Sequence, residues 1–271
     1  MLRYVLLSVA VLVTLAVCGA GTGAGEFGVV EDVGFLAGCD GVLQRYVVGL
    51  PEGVDGGVAR DVCVALHGHG SDRWQFVRDG RDECRAVRDV AVGHSMIFVS
   101  PDYRASTSWM GPKAEADVVQ IIGEVKRAYR VGRVFVCGGS MGGSSALTFA
   151  ALHPELVDGV VCLNGTANLI EYDQFQEAIR DSFGGTKLEA VEEYKKRSAE
   201  YWPERLTMPI AITAGGKDTT VPPQSSVRLA GILKRLGRPV LLIMREDGGH
   251  ATNYDDTKAA FEFVIAQASR E

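Results

Sequence analysis

Two short stretches of this 271-residue chain carry residue types suited to nucleophilic chemistry. Gly138-Gly139-Ser140-Met141-Gly142 sets a serine inside a G-x-S-x-G pattern, between the apolar run Val134–Cys137 and the small, apolar stretch Met141–Leu152. A strand feeding a helix through that pattern turns sharply at the serine, and a side chain at Gly138 or Gly142 would crowd the turn. The hydroxyl then stands at a helix N-terminus, where amide hydrogens meet developing negative charge. Ser140 is the candidate nucleophile, and an alcohol needs a base at neutral pH. Of five histidines, His250 lies after the last apolar run, Val240–Met244, on a loop returning to the edge where Ser140 is presented. It is the expected general base. His153 beside Pro154 reads as a helix-end cap, and His94 precedes a strand at the wrong edge.

A third group should orient the imidazole and stabilise its cation. Asp218, in Gly215-Gly216-Lys217-Asp218 after the run Met208–Thr213, stands between serine and histidine in the chain. Asp247 is its rival, but three residues from His250 on one tight loop it is poorly placed to aim the ring. For the oxyanion, the backbone amide of Met141 is one expected donor. The second should come from His67-Gly68-His69-Gly70, where glycines let the backbone approach a bound carbonyl. The His69 amide is favoured, Gly70 is the alternative, and His67 reads as a loop anchor.

These residues must be held at one edge of a sheet. Val29–Leu36 and Val42–Leu50 flank a Gly-Cys-Asp-Gly turn and read as an antiparallel hairpin. Arg60–Leu66, Met96–Ser100, Val134–Cys137, Val160–Leu163, Met208–Thr213 and Val240–Met244 are continuous apolar runs, as in parallel strands covered on both faces. Helical segments alternate with them: Gly111–Tyr129 with Asp117 and Glu124 outward, Met141–Leu152, Pro222–Leu236 and Thr257–Ala268. The fold class is therefore α/β, a mostly parallel, doubly wound sheet. Residues 168–206 break the rhythm with two helical stretches, Leu169–Phe183 and Leu188–Tyr201. They form either a small lid or a plain helical connection.

Residues 1–17 read as a signal peptide, with Arg3 ahead of an apolar stretch too short to span a bilayer. Residues 18–26 are a Gly-rich tether, and 27–271 form the folded domain. Leu15-Ala16-Val17-Cys18 also resembles a bacterial lipoprotein signal, with Val17 in place of the usual small residue. A secreted, periplasmic or lipid-anchored envelope protein is expected, touching membrane only through Cys18. The net charge of −6 and the lack of a compact basic run argue against a nucleic-acid partner. Cys63, Cys137 and Cys162 lie in strands and read as buried thiols, while Cys39 and Cys84 lie in polar surroundings and could pair. There is no CxxC and no metal-type Cys/His cluster, so neither a metal nor another cofactor is expected.

His67-Gly68-His69-Gly70, Gly138–Gly143, His153-Pro154, Gly216-Lys217-Asp218 with Val221-Pro222, and Gly249-His250 occur in that order. On these motifs the chain, from about Val42 to Ala268, resembles the α/β-hydrolase superfamily, and more narrowly its serine esterase and prolyl-oligopeptidase-like catalytic domains. The resemblance implies an α/β-hydrolase fold with Ser140, Asp218 and His250 as triad, and a carboxylic ester as substrate. The serine at the elbow departs from dienelactone hydrolases, which use cysteine, and from haloalkane dehalogenases, which use aspartate. An exported enzyme of this build resembles single-domain esterases that deacylate polysaccharides, so acetyl or feruloyl esters of carbohydrates are expected. A serine peptidase or amidase, and a non-catalytic binding protein on the same scaffold, are the alternatives. Tyr103, Arg104, Trp109 and Met110, in the loop after Met96–Ser100, are candidates for the substrate wall; Trp109 and Met110 equally suit packing the next helix. Tyr172, Phe175 and Trp202 are candidates for the underside of the insertion.

Overall fold

The computed structural model describes residues 15–16, 27–54 and 57–269. Nearly all of the leader, the Gly-rich tether and Cys18 lie outside the described residues. The strands are β1 (Leu15–Ala16), β2 (Val29–Leu36), β3 (Leu43–Leu50), β4 (Arg60–Leu66), β5 (Ile97–Pro101), β6 (Val131–Gly139), β7 (Gly159–Leu163), β8 (Ile210–Gly215) and β9 (Val240–Arg245). They form one sheet in the order β1-β2-β3-β5-β4-β6-β7-β8-β9. The β2–β3 pair is the expected antiparallel hairpin, with Val29 opposite Leu50 and Leu36 opposite Leu43. β3 pairs antiparallel with β5, and every pairing from β5 through β9 is parallel.

The helices are α1 (Gln75–Arg78), α2 (Asp82–Gly93), α3 (Pro112–Ala128), α4 (Met141–Leu152), α5 (Gln176–Phe183), α6 (Val191–Lys196), α7 (Gln224–Arg235) and α8 (Tyr254–Ala268). β4 shows how the sheet serves two cores. Its Val62, Val64 and Leu66 join a core with α3, α4 and α7, while Cys63 and Ala65 point through the sheet into a core with α2 and α8. Both faces of β5, β7 and β8 are buried, which is why these strands read as unbroken apolar runs. β4 lies between β5 and β6. The chain leaves β4 for α2 on one face and leaves β5 for α3 on the other, so the strand order reverses there. That opens a crevice at the carboxyl ends of β4 and β6.

Three expectations need correction. α2 was not foreseen, although its buried residues, Cys84, Ala86, Val87, Val90 and Ala91, fall on one face at helical spacing. Asp117 faces inward rather than outward, because the Arg104 guanidinium meets its Oδ1 at 2.8 Å. The insertion carries two short helices, α5 and α6, and tight turns at Ala199–Tyr201 and Pro203–Arg205, in place of two long helices. At its base Arg197 is wholly buried, donating to the Met110 carbonyl at 2.7 Å and meeting Glu115 at 2.7 Å and Glu193 at 3.0 Å. The Thr148 hydroxyl of α4 donates to the Arg197 carbonyl, so the insertion is fastened to α3 and α4 together.

Candidate active site

Ser140 sits between β6 and α4 with φ 58° and ψ −119°. This is the left-handed half of conformational space, costly for a residue with a side chain. Its neighbours hold it there: the Ser140 amide donates to the Leu163 carbonyl at 2.8 Å, and its carbonyl accepts from the Ser144 amide at 3.0 Å. A Cβ on Gly138 would stand 2.6 Å from the Leu66 carbonyl oxygen, and one on Gly142 would run into the same atom. The glycines thus let the elbow press against the end of β4, and that closeness puts Ser140 beside the loop that begins at His67.

The other two members of the expected triad arrive from the far strands. Asp218 follows β8 and is buried, its Oδ1 accepting the amides of Thr220 and Val221, each at 2.9 Å. Its Oδ2 lies 2.7 Å from His250 Nδ1, and His250 Nε2 lies 2.8 Å from Ser140 Oγ. A carboxylate only accepts, so Nδ1 carries the hydrogen and Nε2 presents its lone pair to the Ser140 hydroxyl. The structure brings all three residues together across sequence separations of 110 and 32 residues. Asp247 is turned to solvent and pairs with Lys217 at 2.7 Å. His153 caps α4 and meets Glu115, and His94 pairs with Glu262.

In the loop after β4, the Gly68 amide donates to Gln75 Oε1 at 2.8 Å and the Gly70 amide to the Ser106 carbonyl at 2.8 Å. Gly70 is therefore committed, and the His69 amide is the one between them without a protein acceptor among the described residues. The Met141 amide, in the first turn of α4, has no partner within the helix either. His67 is the anchor expected of it: buried, with ring nitrogens 2.9 and 3.1 Å from the carbonyls of Gly68 and Asp102. Burial lowers the His67 pKa and, helped by neighbouring His67, that of His69 too. A neutral His69 ring can accept, and its Nδ1 takes the Trp109 indole hydrogen at 3.1 Å.

A hollow of about 350 Å³ opens over Ser140 and His250, walled by His69, Gln75, Leu163, Phe175 and Thr220. Of the candidate substrate contacts, Trp109 and Tyr172 form a layer behind this wall. The Trp109 ring is 5.3 Å from Tyr172 and 5.6 Å from Phe175, and Tyr172 is tied to the Thr220 carbonyl. Phe175, with φ 52°, is the insertion residue that reaches the hollow, its ring 4.3 Å from that of His69. Met110 is buried. Three candidates are corrected, each drawn off by another partner. Tyr103 is buried and donates to the His67 carbonyl at 2.6 Å; Arg104 is held by Asp40 and Asp117; and Trp202 donates to the Lys195 carbonyl. Gln75, Asn164, Thr220 and Thr252 line the hollow without having carried any signal in the sequence.

The arrangement can remove a proton from a serine hydroxyl, hold an imidazolium against a buried carboxylate, and offer amide donors to a developing oxyanion. Comparison with known proteins agrees in kind. The model of the prolyl oligopeptidase family matches residues 103–266. No curated protein sequence matches the chain. Among solved structures, the substrate-bound fluorophosphonate-binding serine hydrolase F of Staphylococcus aureus is similar, with 17% identity, 89% of this chain and 98% of that one covered, and a TM-score of 0.68. The S-formylglutathione hydrolase from Agrobacterium tumefaciens is 15% identical over 94% of this chain and 99% of its own, with a TM-score of 0.69. The acylaminoacyl peptidase of Pyrococcus horikoshii is 16% identical, with a TM-score of 0.67; the match covers 88% of this chain and 42% of the peptidase, so this chain spans less than half its length. At such identities the likeness is one of fold.

Proposed function

Since the chain belongs to the prolyl oligopeptidase family and is an α/β-hydrolase-fold enzyme of the serine-hydrolase type, we propose that it is an exported carboxylic-ester hydrolase acting on acylated carbohydrate by two-step acyl transfer. The observation that carries this reading is the continuous hydrogen-bonded chain from Ser140 Oγ through His250 to Asp218, at 2.8 and 2.7 Å, beneath an open hollow. His250 takes the Ser140 proton as Oγ attacks the ester carbonyl, and Asp218 stabilises the imidazolium. The Met141 and His69 amides hold the oxyanion. His250 then protonates the departing alcohol, and later draws a proton from the water that releases the acid. No step calls for a metal or an organic cofactor.

The ester reading draws on the S-formylglutathione hydrolase fold, which the chain matches almost end to end. The peptidase reading rests on the family match and on the acylaminoacyl peptidase fold. Export, by cleavage of the leader or lipidation at Cys18, follows from the N-terminal sequence. No helix among the described residues is long and apolar enough to cross a membrane.

The test is steady-state hydrolysis of p-nitrophenyl esters of rising chain length, acetylated xylan, a feruloylated sugar and a peptide p-nitroanilide, with Ser140→Ala as blank. Acetyl or feruloyl turnover absent from the blank is expected. Anilide turnover with little ester hydrolysis would establish the peptidase reading instead, and turnover retained by Ser140→Ala would remove Ser140 from the mechanism.

A further inference from the structure

The loop that carries His250 has little to hold it. Residues 246–253 join β9 to α8 without regular structure, and of these only Thr252 is buried. Near the start of the loop the Gly248 carbonyl accepts the Lys217 amide at 2.8 Å, and at its end the Asn253 side chain caps α8 by accepting the Asp256 amide. Between those two points, among the described residues, only the His250 ring and the Thr252 hydroxyl make hydrogen bonds. The bond from His250 to Ser140 must break and re-form in every turnover. The Thr252 hydroxyl, two residues from the imidazole, is the fastening that stays in place while it does.

What it fastens to is β8. Thr252 Oγ1 lies 2.7 Å from Thr213 Oγ1, and the Thr213 hydroxyl donates to Asn164 Oδ1 at 3.4 Å. A hydroxyl has one hydrogen to give, so Thr213 accepts from Thr252 as it donates to Asn164. All three residues are buried, where a polar group without its partner is costly. Asn164 follows β7 at φ 48°, and its amide donates to the Thr213 carbonyl at 3.1 Å, so Thr213 holds it twice. Leu163, the residue before it, accepts the Ser140 amide at 2.8 Å. Asp218 leaves the same strand as Thr213, its amide donating to the Gly215 carbonyl at 3.2 Å. A second line of hydrogen bonds thus runs beneath the triad from Thr252 through Thr213 to Asn164. It joins the three segments that place His250, Asp218 and Ser140. Thr213, its middle member, is not in the wall of the hollow over Ser140, so it can reach the reaction there only through the residues it holds.

We propose that Thr213 is a positioning residue for His250: through Thr252 its hydroxyl fixes the imidazole where Nδ1 meets Asp218 and Nε2 meets Ser140. The proposal rests on the triad mechanism above and is independent of which ester the enzyme prefers. Without that hydroxyl the loop keeps its two ends and loses its middle, and the imidazole drifts out of line. A misplacement of about 1 Å at a reacting group costs about 100-fold in rate. The walls that meet the substrate keep their places, so the loss falls on the chemical step and not on binding.

The experiment compares Thr213→Val, which keeps the shape of the side chain without its hydroxyl, with Thr213→Ser, which keeps the hydroxyl. On p-nitrophenyl acetate, Thr213→Val is expected to lose about 10- to 100-fold in kcat with KM within about twofold, and Thr213→Ser to recover most of the loss. Labelling of Ser140 by a fluorophosphonate should slow by a similar factor. There Oγ bonds to phosphorus, fluoride leaves, and His250 takes the hydroxyl proton. Thr252→Val should match Thr213→Val, and the double variant should lose no more than either alone, since all three remove the same bond. Wild-type kcat and labelling in Thr213→Val, a Thr213→Ser as slow as Thr213→Val, or losses that multiply in the double variant would each overturn the proposal. If circular dichroism shows Thr213→Val unfolded, Thr252→Val decides: slowed labelling supports the proposal and wild-type labelling overturns it. Wild type that labels but does not hydrolyse the acetate overturns the ester-hydrolase reading alone, and the labelling rates still judge Thr213. Wild type that does neither overturns both.

Discussion

Asp218 has no spare valence. Both oxygens are committed, Oδ1 to two backbone amides and Oδ2 to the imidazole, so the side chain cannot turn. An asparagine there must keep its oxygen on the Thr220 and Val221 amides and so present its NH2 to His250 Nδ1. That forces the imidazole hydrogen onto Nε2, where it can no longer accept from Ser140. Asp218→Asn is therefore expected to fold normally and to lose about 10³–10⁴-fold in kcat, with KM little changed, in ester hydrolysis monitored beside a circular-dichroism control. A kcat near that of wild type would show that the carboxylate does not set the tautomer. At this scale the grouping of Ser140, His250 and Asp218 was readable in the sequence, because each lies close to glycines at the end of an apolar run. The substrate contacts were not. Tyr103 and Arg104 have the right side chains in the right loop, but the partners that occupy them, the His67 carbonyl, Asp40 and Asp117, come from other parts of the chain. Nothing in local sequence announces such a pairing.

Among the elements, the strands were legible because a parallel strand buried on both faces must be apolar throughout, as β5, β7 and β8 are. α2 was legible too, since Cys84, Val87, Val90 and Ala91 recur at helical spacing, whereas short helices such as α5 and α6 draw their order from tertiary packing rather than propensity. The clearest tertiary device is Arg197, which ties α6 to Glu115 of α3. Burial pushes the Glu115 carboxyl up, but the His153 hydrogen bond and the Arg197 charge outweigh it and bring the pKa from 4.5 down to about 2. A depressed carboxylate contributes stability that is complete above its unfolded pKa and is lost as pH falls through its folded one. Here the window runs from pH 4.5 down to about 2, and the contribution is about 3 kcal/mol. Urea midpoints across that range should fall more steeply in wild type than in Glu115→Gln, which should also be the less stable protein at pH 7. Parallel curves would assign the acid sensitivity to other groups. Cutting the Arg197 anchor would also loosen the Met110 carbonyl and the strained pair Trp109 and Met110 behind the hollow.

For the molecule as a whole, the sheet separates two cores, and four of the cysteines are buried within them. Cys63 and Cys137, on neighbouring strands, bring their sulfurs within 3.7 Å, yet all five described cysteines are free thiols. Burial pushes the Cys84 and Cys162 thiols up to about 12, and raises Cys63 as well. Cys39 lies at the surface against Arg104, while Cys84 is buried beside Gln75, so the pairing open to them in sequence is not made. With Cys18 replaced by serine, a native sample should react with one equivalent of thiol reagent at once, at Cys39. The remaining four should appear only with global unfolding; a second fast thiol would reveal an opening of one core independent of the other.

The position of β9 adds a matter of timing. His250 hangs from the outermost strand of the parallel sheet, and Ser140 waits far back in the chain on β6. Until β9 docks on β8, the serine has its elbow, its glycines and its helix but no base. A folding chain thus holds the Ser140 hydroxyl without its imidazole partner for as long as the edge of the sheet stays open.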